Sequence, residues 1–402
     1  MRIAVMAKKT TFHKGFGGLE TQNKALCEGL SAKGHIVTIF SPVYELDKNE
    51  IIENNVRYVF VKCVYRMGPV FGFFGTIQKS NWINRSVEEF TKIHEKEKFD
   101  IVLAQSSTGL GIIKNKKKLN IKVISIAHGT IIGEYKTFVA SMKQPQDFTK
   151  FLQNTGFTIK NFFRRQRDFV HGSDKIIAVS NYVKQAIIDE TYTFEEKITV
   201  IKNGIDPRPF KSINEHISRG NKILYAGQIT KSKGIFELYK MSKTNELKDT
   251  VIDLVGGGDD FELLLKKVKT EKIKAGTFNM IGKCSYEDLV DKYYLNSEYG
   301  VFVFPTKRYE GLPMVLIEAM FSAMPIVAYN MGGVSDALED GHNGFLVKEN
   351  DQKNFIKKVK LILEDDNLRK KMSINSYNKA NNQFKLSNMV DEYEKVITKV
   401  RS

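Results

Sequence analysis

At 402 residues, the chain is too long for one ordinary domain, and two domains are expected. With 42% hydrophobic and 27% charged residues, its composition is typical of a globular, soluble protein, and no apolar run reaches the ~18 residues that a membrane-spanning helix requires. The cysteines are odd in number, scattered and without a Cys-x-x-Cys pair, which favours reduced thiols in a cytosolic setting over disulfides or zinc ligands.

The positive charge is concentrated in one part of the chain. Of a net charge of +16, residues 101–170 contribute +9, from 12 Lys and Arg residues against three acidic ones. Such a patch suits an anionic partner, and the candidates are anionic lipid, a polyanionic acceptor and nucleic acid. The sequence leaves open the alternative that the charge only keeps a Lys-rich chain in solution.

The chain begins with a strand–helix–strand pattern. Residues 3–7 predict a strand, being too short an apolar run for a signal peptide. Residues 14–18 form a glycine-rich loop, residues 19–33 have helical spacing, and residues 35–40 predict the next strand. This βαβ opening implies a parallel sheet. The glycine-rich loop alone is a weak phosphate signal, because many strand–helix turns need glycine.

The alternation continues through the first half. Further strands are predicted at residues 56–62, 100–104, 122–127 and 175–179. Two stretches break the pattern: residues 67–77 are rich in Gly and Phe (Phe71, Phe73 and Phe74), and residues 161–167 mix aromatic with basic side chains. Each stretch either faces a membrane surface or an acceptor, or packs as an ordinary loop or helix, and both interpretations stay open.

One histidine and one turn stand out near the end of the first half. His128 follows the strand at residues 122–127, at the edge where open α/β sheets bind ligands, although a lone histidine is more often structural. Residues 200–209 contain Asn203-Gly204 and two prolines, which mark a connection between domains.

The second half restarts the strand–helix alternation. Residues 222–226 predict a strand that leads into a loop from Gly227 to Gly234. Residues 251–255 predict a strand that ends in three glycines, residues 278–284 another strand, residues 286–294 a helix, and residues 389–400 a last apolar helix.

The most informative stretch is residues 300–320. An apolar strand is ended by Pro305, a loop follows, and a helix begins near Pro313. The free amides at the start of that helix, those of Met314 and Val315, predict an anion site. Two carboxylates, Glu310 and Glu318, flank it, and carboxylates in this position suit neighbouring hydroxyl groups such as those of a sugar.

This stretch resembles the Glu-x7-Glu motif of the retaining glycosyltransferases of family 4, and residues 325–334 and 340–347 resemble the strand, Gly-Gly turn and Asp-Gly-x-Asn-Gly ending of the same family. The resemblance implies the α/β GT-B fold: two Rossmann-like domains with parallel sheets facing across a cleft, and a C-terminal helix that returns to the first domain. The implied domains are an acceptor-binding domain at 1–205, a nucleotide-sugar-binding domain at 206–385 and the closing helix at 386–402.

The resemblance also implies roles for individual residues. Glu310 lies by the transferred sugar, Lys233 meets the donor phosphates and His128 lies near the sugar, so these three are the predicted catalytic residues. Glu318 binds the nucleotide ribose, and Gln228 stands where the family usually has arginine, keeping a hydrogen-bond donor but losing the charge. The remaining predicted donor-binding residues are Gly17, Gly18, Lys283, Cys284, Gly311, Leu312, Met314 and Val315.

The function implied is transfer of a sugar, with retention and therefore an α-linkage, from a nucleotide sugar to a saccharide or lipid-linked acceptor in cell-envelope polysaccharide or glycolipid synthesis. UDP is favoured over GDP and ADP as the nucleotide. No metal or other cofactor is expected, because the sequence has no Asp-x-Asp and no cluster at ligand spacing. We expect a cytoplasmic protein, in peripheral contact with the anionic inner face of the membrane, that binds no nucleic acid.

Two alternatives belong to other classes. A GT-B nucleotide-sugar isomerase or phosphorylase would share the fold but not the Glu-x7-Glu motif. A non-enzymatic membrane-binding protein would use the basic patch but leave Glu310 and Glu318 unexplained.

Overall fold

The computed structural model describes residues 1–43, 48–63, 81–141, 148–210, 220–247, 249–271 and 277–402. The predicted aromatic stretch at 67–77 lies outside these residues. The chain forms two compact units: the first comprises Met1–Lys136, Met142–Asn203 and Leu386–Ser402, and the second comprises Thr137–Ser141 and Gly204–Lys385.

The first unit is built on one sheet. Its strands are β1 (Arg2–Met6), β2 (Ile36–Pro42), β3 (Glu50–Glu53), β4 (Val56–Val61), β5 (Ile101–Gln105), β6 (Lys122–Ala127), β7 (Lys175–Ala178) and β8 (Ile198–Val200). Their order is β3-β4-β2-β1-β5-β6-β7-β8, and all neighbours are parallel except β3 and β4. The central strands are apolar and buried along almost their whole length, as strands covered on both faces must be.

Helices connect these strands and cover the sheet. They are α1 (Gly18–Ala32), α2 (Trp82–Lys96), α3 (Leu110–Leu119), α4 (Ile131–Ser141), α5 (Phe148–Asn161), α6 (Arg167–Gly172) and α7 (Asn181–Thr191). A π-helical turn, Phe162–Gln166, joins α5 to α6, so the predicted irregularity at 161–167 lies within one continuous helical segment.

The second unit repeats the architecture with a smaller sheet. Its strands are β9 (Lys222–Ala226), β10 (Ile252–Val255), β11 (Phe278–Gly282), β12 (Tyr299–Phe304), β13 (Ile326–Tyr329) and β14 (Gly344–Val347). They are parallel throughout, in the order β11-β10-β9-β12-β13-β14. Apolar side chains of β9, β10, β12 and β13 form the core of this unit together with residues of the covering helices, among them Leu238 and Phe355.

The helices of the second unit are α8 (Ile235–Met241), α9 (Phe261–Thr270), α10 (Tyr286–Leu289), α11 (Met314–Phe321), α12 (Val334–Ala337), α13 (Gln352–Glu364) and α14 (Asp366–Gln383). A second π-helical turn, Val290–Tyr294, continues α10. These helices alternate with the parallel strands, as a doubly wound α/β unit requires.

The last helix, α15 (Leu386–Arg401), packs on α1 in the first unit. It buries Met389, Val390, Tyr393 and Ile397, whose spacing places them on one helical face. Gly29 of α1 permits the close approach, because a Cβ atom there would collide with the side chain of Val390.

The sequence analysis missed two strands of the first unit, β3 and the short β8. β3 and β4 form an antiparallel pair joined through Asn54 and Asn55, both with positive φ (49° and 61°). A two-residue turn with positive φ at both positions is a hairpin signal, and asparagine tolerates that conformation better than most residues. The pair Asn54-Asn55 was therefore the sequence signal that could have predicted the β3–β4 hairpin.

Candidate active site

The strand order of the second unit defines where its loops diverge. β9 has β10 on one side and β12 on the other, so the chain leaves these neighbouring strands in different directions. Such a switch point opens a crevice at the carboxyl ends of the strands, where α/β sheets bind their ligands. The loop after β9 carries Lys233, and the loop after β12 carries Glu310.

Lys233 and Glu310 form an ion pair, with 2.6 Å between Lys233 Nζ and Glu310 Oε1. Their side chains are only 14% and 13% exposed, so water screens the pair little. Thr306 Oγ1 donates a hydrogen bond of 3.2 Å to the same carboxylate oxygen, and Lys233 Nζ lies 5.3 Å from the centroid of the Phe304 ring. The resemblance assigned Lys233 to the donor phosphates and Glu310 to the sugar, and the structure places the two side chains in direct contact.

Glycine backbone holds the two loops in this arrangement. Gly234 has a φ of +74°, and a Cβ atom there would collide with the carbonyl oxygen of Pro305. Gly332 has a φ of +60°, and a Cβ atom there would collide with the backbone of Glu310. The N–H of Gly333 donates a hydrogen bond of 2.7 Å to the Glu310 carbonyl oxygen. The Gly-Gly turn after β13 thus fixes the backbone that carries Glu310.

A second ion pair lies beside the first. Lys307 Nζ is 2.8 Å from Glu237 Oε1 on α8, and these side chains are 18% and 13% exposed. The Lys307 N–H also donates a hydrogen bond of 2.8 Å to the carbonyl oxygen of Ser232. Together these contacts join the loop after β12 to the loop after β9. Sequence reasoning missed them, because the paired residues are 70 positions apart and neither belongs to a motif.

Glu318 lies on α11 and accepts a hydrogen bond of 3.0 Å at Oε2 from the hydroxyl group of Tyr294. Desolvation of the carboxyl group raises the pKa of Glu318 to about 7, although the hydrogen bond from Tyr294 acts in the opposite direction. Near neutral pH the group therefore exists in both forms, and its ionised form accepts hydrogen bonds from hydroxyl groups. The buried Tyr294 is a further site residue that the sequence placed only in a helix.

The amino end of α11 remains uncapped. Pro313 is the N-cap residue, with extended backbone, and no side chain caps the helix. The amides of Met314 and Val315, its first two residues, have no carbonyl partner within the helix, and both residues are half-buried. Leu312 is buried and Gly311 half-buried just before them. The geometry suits an anion, and the donor-binding role of these residues stays a prediction.

Gln228 lies exposed just after β9. Its carbonyl oxygen accepts a hydrogen bond of 2.7 Å from the buried Tyr225 hydroxyl group, which fixes the backbone and leaves the Gln228 side chain at the surface. Lys231 is also exposed, and its N–H donates to Asp260 Oδ2 at 2.7 Å. The loop after β9 therefore carries one half-buried cation, Lys233, and one exposed cation, Lys231.

Lys283 and Cys284 lie exposed after β11, at the same edge of the sheet but two strands away from β9. The Lys283 side chain packs over Gly257, where a Cβ atom would lie 2.5 Å from Lys283 Cε. Desolvation, with a smaller effect of Asp288, raises the pKa of the Cys284 thiol, which therefore stays protonated at neutral pH. Their predicted contact with the base stays a prediction.

In the first unit, His128 belongs to a chain of hydrogen bonds. Its Nε2 lies 2.5 Å from Gln105 Oε1, and Gln105 Nε2 donates to Asn23 Oδ1 at 2.5 Å. Since the amide oxygen can only accept, Nε2 carries the proton and Nδ1 keeps its lone pair. Desolvation lowers the pKa of His128 to about 4, so the imidazole is neutral at physiological pH.

Gly17 and Gly18 begin α1, with Gly17 as the N-cap residue. The Gly17 N–H donates a hydrogen bond of 2.8 Å to Glu20 Oε2. A carboxylate thus already uses one amide that the resemblance assigned to the donor diphosphate. The sequence offered a signal for this contact, since a Glu three residues after the N-cap is typical of a capping box.

Within the described ranges, no three His, Cys, Asp or Glu side chains come together in a way that could hold a metal ion. None of the helices in these ranges is long and apolar enough to cross a membrane. Metal independence itself stays a prediction.

Comparisons with known proteins agree with this architecture. Residues 208–379 match the family model described as glycosyl transferases group 1, and residues 16–208 match that of glycosyltransferase family 4. An uncharacterised glycosyltransferase of Methanocaldococcus jannaschii is 27% identical over 96% of this chain and 95% of its own length. The Escherichia coli UDP-Gal:alpha-D-GlcNAc-diphosphoundecaprenol alpha-1,3-galactosyltransferase is 26% identical over 77% of each chain.

Among solved structures, sucrose-phosphate synthase from Thermosynechococcus elongatus superposes with a TM-score of 0.78 at 18% identity, over 99% of this chain and 98% of its own. These matches define a glycosyltransferase and confirm the predicted two-domain fold. The two family models together span residues 16–379, and with the fold they support a glycosyltransferase of the family 4 type with the GT-B architecture.

Proposed function

We propose that the protein is a retaining glycosyltransferase that transfers a sugar from a UDP-sugar to a saccharide or lipid-linked acceptor. The observation that carries the proposal is the half-buried Lys233–Glu310 pair at the switch point of the second unit. A cation and a carboxylate in contact suit the two parts of one substrate: a diphosphate, which needs positive charge, and a sugar, whose hydroxyl groups donate to a carboxylate.

The nucleotide is bound by the second unit. The ionised Glu318 carboxylate accepts hydrogen bonds from the ribose hydroxyl groups, and the hydroxyl group of Tyr294 orients the carboxylate by donating to Oε2. The diphosphate lies at the amino end of α11, where the Met314 and Val315 amides carry the positive end of the helix dipole. Lys233 supplies a formal positive charge that is largely shielded from water.

In the reaction, the bond from the anomeric carbon to the diphosphate oxygen breaks, and a bond from that carbon to the acceptor oxygen forms while the acceptor's hydroxyl proton passes to the leaving diphosphate. The transition state resembles an oxocarbenium ion, while negative charge grows on the leaving diphosphate. Lys233 and the α11 amides stabilise that charge. Glu310 stabilises the positively charged sugar and need not form a covalent bond to it.

Because Lys233 and Glu310 are paired in the free protein, donor binding requires that Lys233 exchange Glu310 for the diphosphate. In the free protein, Glu310 holds Lys233 at 2.6 Å. A bound diphosphate offers the ammonium group a more highly charged partner, so the Glu310 carboxylate becomes available to the sugar. Thr306, which donates to the same oxygen, keeps the carboxylate in place during this exchange.

The choice of donor and acceptor rests on a relative. The Escherichia coli protein named above uses a UDP-sugar and a diphosphoundecaprenol-linked acceptor. We propose the same classes here, with an α-linkage in the product and a place in envelope polysaccharide or glycolipid synthesis at the inner face of the cytoplasmic membrane. The identity of the sugar is a matter for experiment.

The test is a thermal-shift screen of nucleotide sugars, followed by a transfer assay with the best donor and a short-chain lipid diphosphate sugar as acceptor. We expect release of UDP that depends on the acceptor and survives EDTA, and a product whose anomeric proton has the coupling of an α-linkage. An epimerised donor without acceptor would identify an isomerase, and phosphate-dependent cleavage a phosphorylase. Activity lost with EDTA and restored only by a divalent ion would refute metal independence.

A further inference from the structure

The outer face of α5 and of the π-helical turn that follows it carries exposed apolar side chains. Leu152, Ile159 and Phe163 are 53%, 55% and 55% exposed, and Gly156 between them is exposed as well. Steps of seven and four residues place the three side chains on one face of the helical segment. This apolar stripe, defined as Leu152, Ile159 and Phe163, lies entirely in the first unit.

The inward side of this helical segment is anchored in the first unit by buried side chains and hydrogen bonds. Gln166, the last residue of the π turn, is buried; its amide donates to Glu190 Oε2 and its amide oxygen accepts from the Ile131 N–H, both at 2.6 Å. Phe169 and Val170 are buried one turn later. The wider π turn thus directs Gln166 inward while Phe163 stays outward. The stripe is therefore a fixed outer surface of a helix that the protein interior anchors.

The charge beside the stripe is of one sign. Residues 148–167 contain five Lys and Arg residues and no Asp or Glu. Lys160, Arg164 and Arg167 are exposed, and the guanidinium carbon of Arg167 lies 5.8 Å from the centroid of the Phe163 ring. Cations thus lie directly next to the apolar side chains, as on helices that rest in the headgroup region of a bilayer.

The basic cluster on α3 differs from the one beside the stripe, because two of its lysines form ion pairs. On α3, Lys114 Nζ lies 3.1 Å from Asp168 Oδ2, and Lys116 Nζ lies 2.9 Å from Asp174 Oδ1. Part of its charge is therefore neutralised within the protein. Among the described residues of 101–170, the structure thus shows a partly paired basic cluster on α3 and a second basic cluster that accompanies the apolar stripe.

We propose that the apolar stripe, with Lys160, Arg164 and Arg167 beside it, is the surface by which the protein docks on an anionic lipid bilayer. An anionic bilayer suits both features of this surface, because its phosphate groups attract the cations and its acyl chains accept the apolar side chains. Nucleic acid or an acidic polysaccharide would meet the cations but leave the three apolar side chains in water. The inference extends the proposed use of a lipid-linked acceptor, because docking brings the enzyme to the leaflet that holds it.

Two kinds of variant separate the two parts of the interaction. Ile159→Ser with Phe163→Ser removes apolar surface without changing charge, and Arg164→Gln with Arg167→Gln removes charge without changing the stripe. The matched controls lie elsewhere in the first unit: Ile36→Ser with Ile52→Ser, two exposed isoleucines at 51% and 71%, and Arg85→Gln with Lys92→Gln on the outer surface of α2.

The measurement is co-sedimentation of the whole protein with vesicles of phosphatidylcholine, with and without phosphatidylglycerol, at low and high salt. We expect binding to the anionic vesicles only. The arginine pair should weaken partition roughly 30-fold at low salt, and the serine pair roughly 10- to 100-fold at either salt concentration. Both control pairs should bind as the wild type does.

Transfer to a short, soluble acceptor and UDP-sugar binding are measured on the same variants. They should be unchanged, which shows that the variants fold and separates the docking proposal from the proposed function. Absence of binding to anionic vesicles, or equal losses in the control pairs, would overturn the proposal. Loss of binding in the arginine pair with full binding in the serine pair would also overturn it, because it would indicate a polyanion in place of a bilayer.

Discussion

Glu318 should make donor affinity depend on pH near neutrality. Desolvation raises the pKa of its carboxyl group from 4.5 to about 7, and a protonated carboxyl group is a poorer acceptor for ribose hydroxyl groups. If only the ionised form binds, the ionised fraction, and with it the apparent affinity for the donor, falls roughly tenfold between about pH 8 and about pH 6.

The same group should affect the stability of the free protein in the opposite direction. The pKa of Glu318 is higher in the folded protein than in the unfolded chain. The protonated carboxyl group therefore makes its full contribution to stability below about pH 4.5, and this contribution is lost as the pH rises through about 7. The change in pKa, from 4.5 to about 7, corresponds to on the order of 3 kcal/mol. Across neutrality, the free protein should therefore melt at a lower temperature as the pH rises, while donor affinity increases.

The assay is calorimetric titration with UDP-glucose over this pH range. UDP itself is less suitable, because a terminal phosphate titrates near pH 6. Glu318→Gln should bind more weakly and show a flat profile. Tyr294→Phe should move the midpoint to higher pH, because the hydrogen bond that it removes lowers the pKa of Glu318. The control is Glu262→Gln, an exposed residue of α9, which should keep the wild-type profile.

Two outcomes would refute this reasoning. A donor affinity that stays constant across neutrality in the wild type would show that the ionisation of Glu318 does not matter for binding. A pH dependence that persists in Glu318→Gln would assign the titration to another group. In either case the assignment of the ribose to Glu318 would fail, whereas the ion pair of Lys233 and Glu310 would be unaffected.

Three further predictions concern two residues of the site, Lys233 and Gln228, and the Glu190 network of the first unit. Lys233→Ala should reduce kcat/KM by the equivalent of about 2–4 kcal/mol, because it removes the charge that meets the leaving diphosphate; unchanged steady-state kinetics would contradict its role. Glu190→Ala should lower the free energy of unfolding by about 1–3 kcal/mol for each donor left unpaired, namely Gln166 Nε2 and Thr130 Oγ1, as measured by urea unfolding; an unchanged unfolding midpoint would count against that network. Gln228→Arg should tighten donor binding up to about tenfold by adding a charge-assisted hydrogen bond, as measured by calorimetry; an unchanged dissociation constant would place the side chain away from the diphosphate.

The local elements of the site followed from the sequence because they depend on short stretches of chain. The run Gly300–Phe304 is apolar at every position, and Pro305 ends it, so a buried strand and its end could be predicted from adjacent residues. The start of α11 at Met314 has the same local origin, because a proline suits the residue just before a helix. Alternating strands and helices then led to two parallel sheets.

The side-chain pairings could not be predicted in this way. Lys307 and Glu237 each resemble a solvated surface charge, and only the neighbouring positions of β9 and β12 bring them to 2.8 Å. Tyr294 reaches Glu318 through a π turn whose register no helical periodicity reveals. These contacts depend on which strands become neighbours, and that order is a property of the whole sheet.

Glu20 shows how a local signal can be present and still be overlooked. The loop before α1 was interpreted through its glycines, although a Glu three residues after the N-cap predicts the hydrogen bond that the Gly17 N–H now makes. The carboxylate also reduces the attraction of that helix end for a phosphate. Both effects follow from the order of residues 17–20 alone.

The charge balance of the second unit explains why the substitution at Gln228 is informative. Lys233 is neutralised by Glu310, and Lys307 by Glu237, so neither ion pair leaves an excess of positive charge before the donor binds. In the proposed mechanism, a diphosphate draws Lys233 away from its carboxylate, and the energy of that pair opposes binding. An arginine in place of Gln228 would add a cation at the exposed start of the loop after β9. In the proposed mechanism, the exchange of partners by Lys233 is therefore a central electrostatic step of donor binding, and it also frees Glu310 for the sugar.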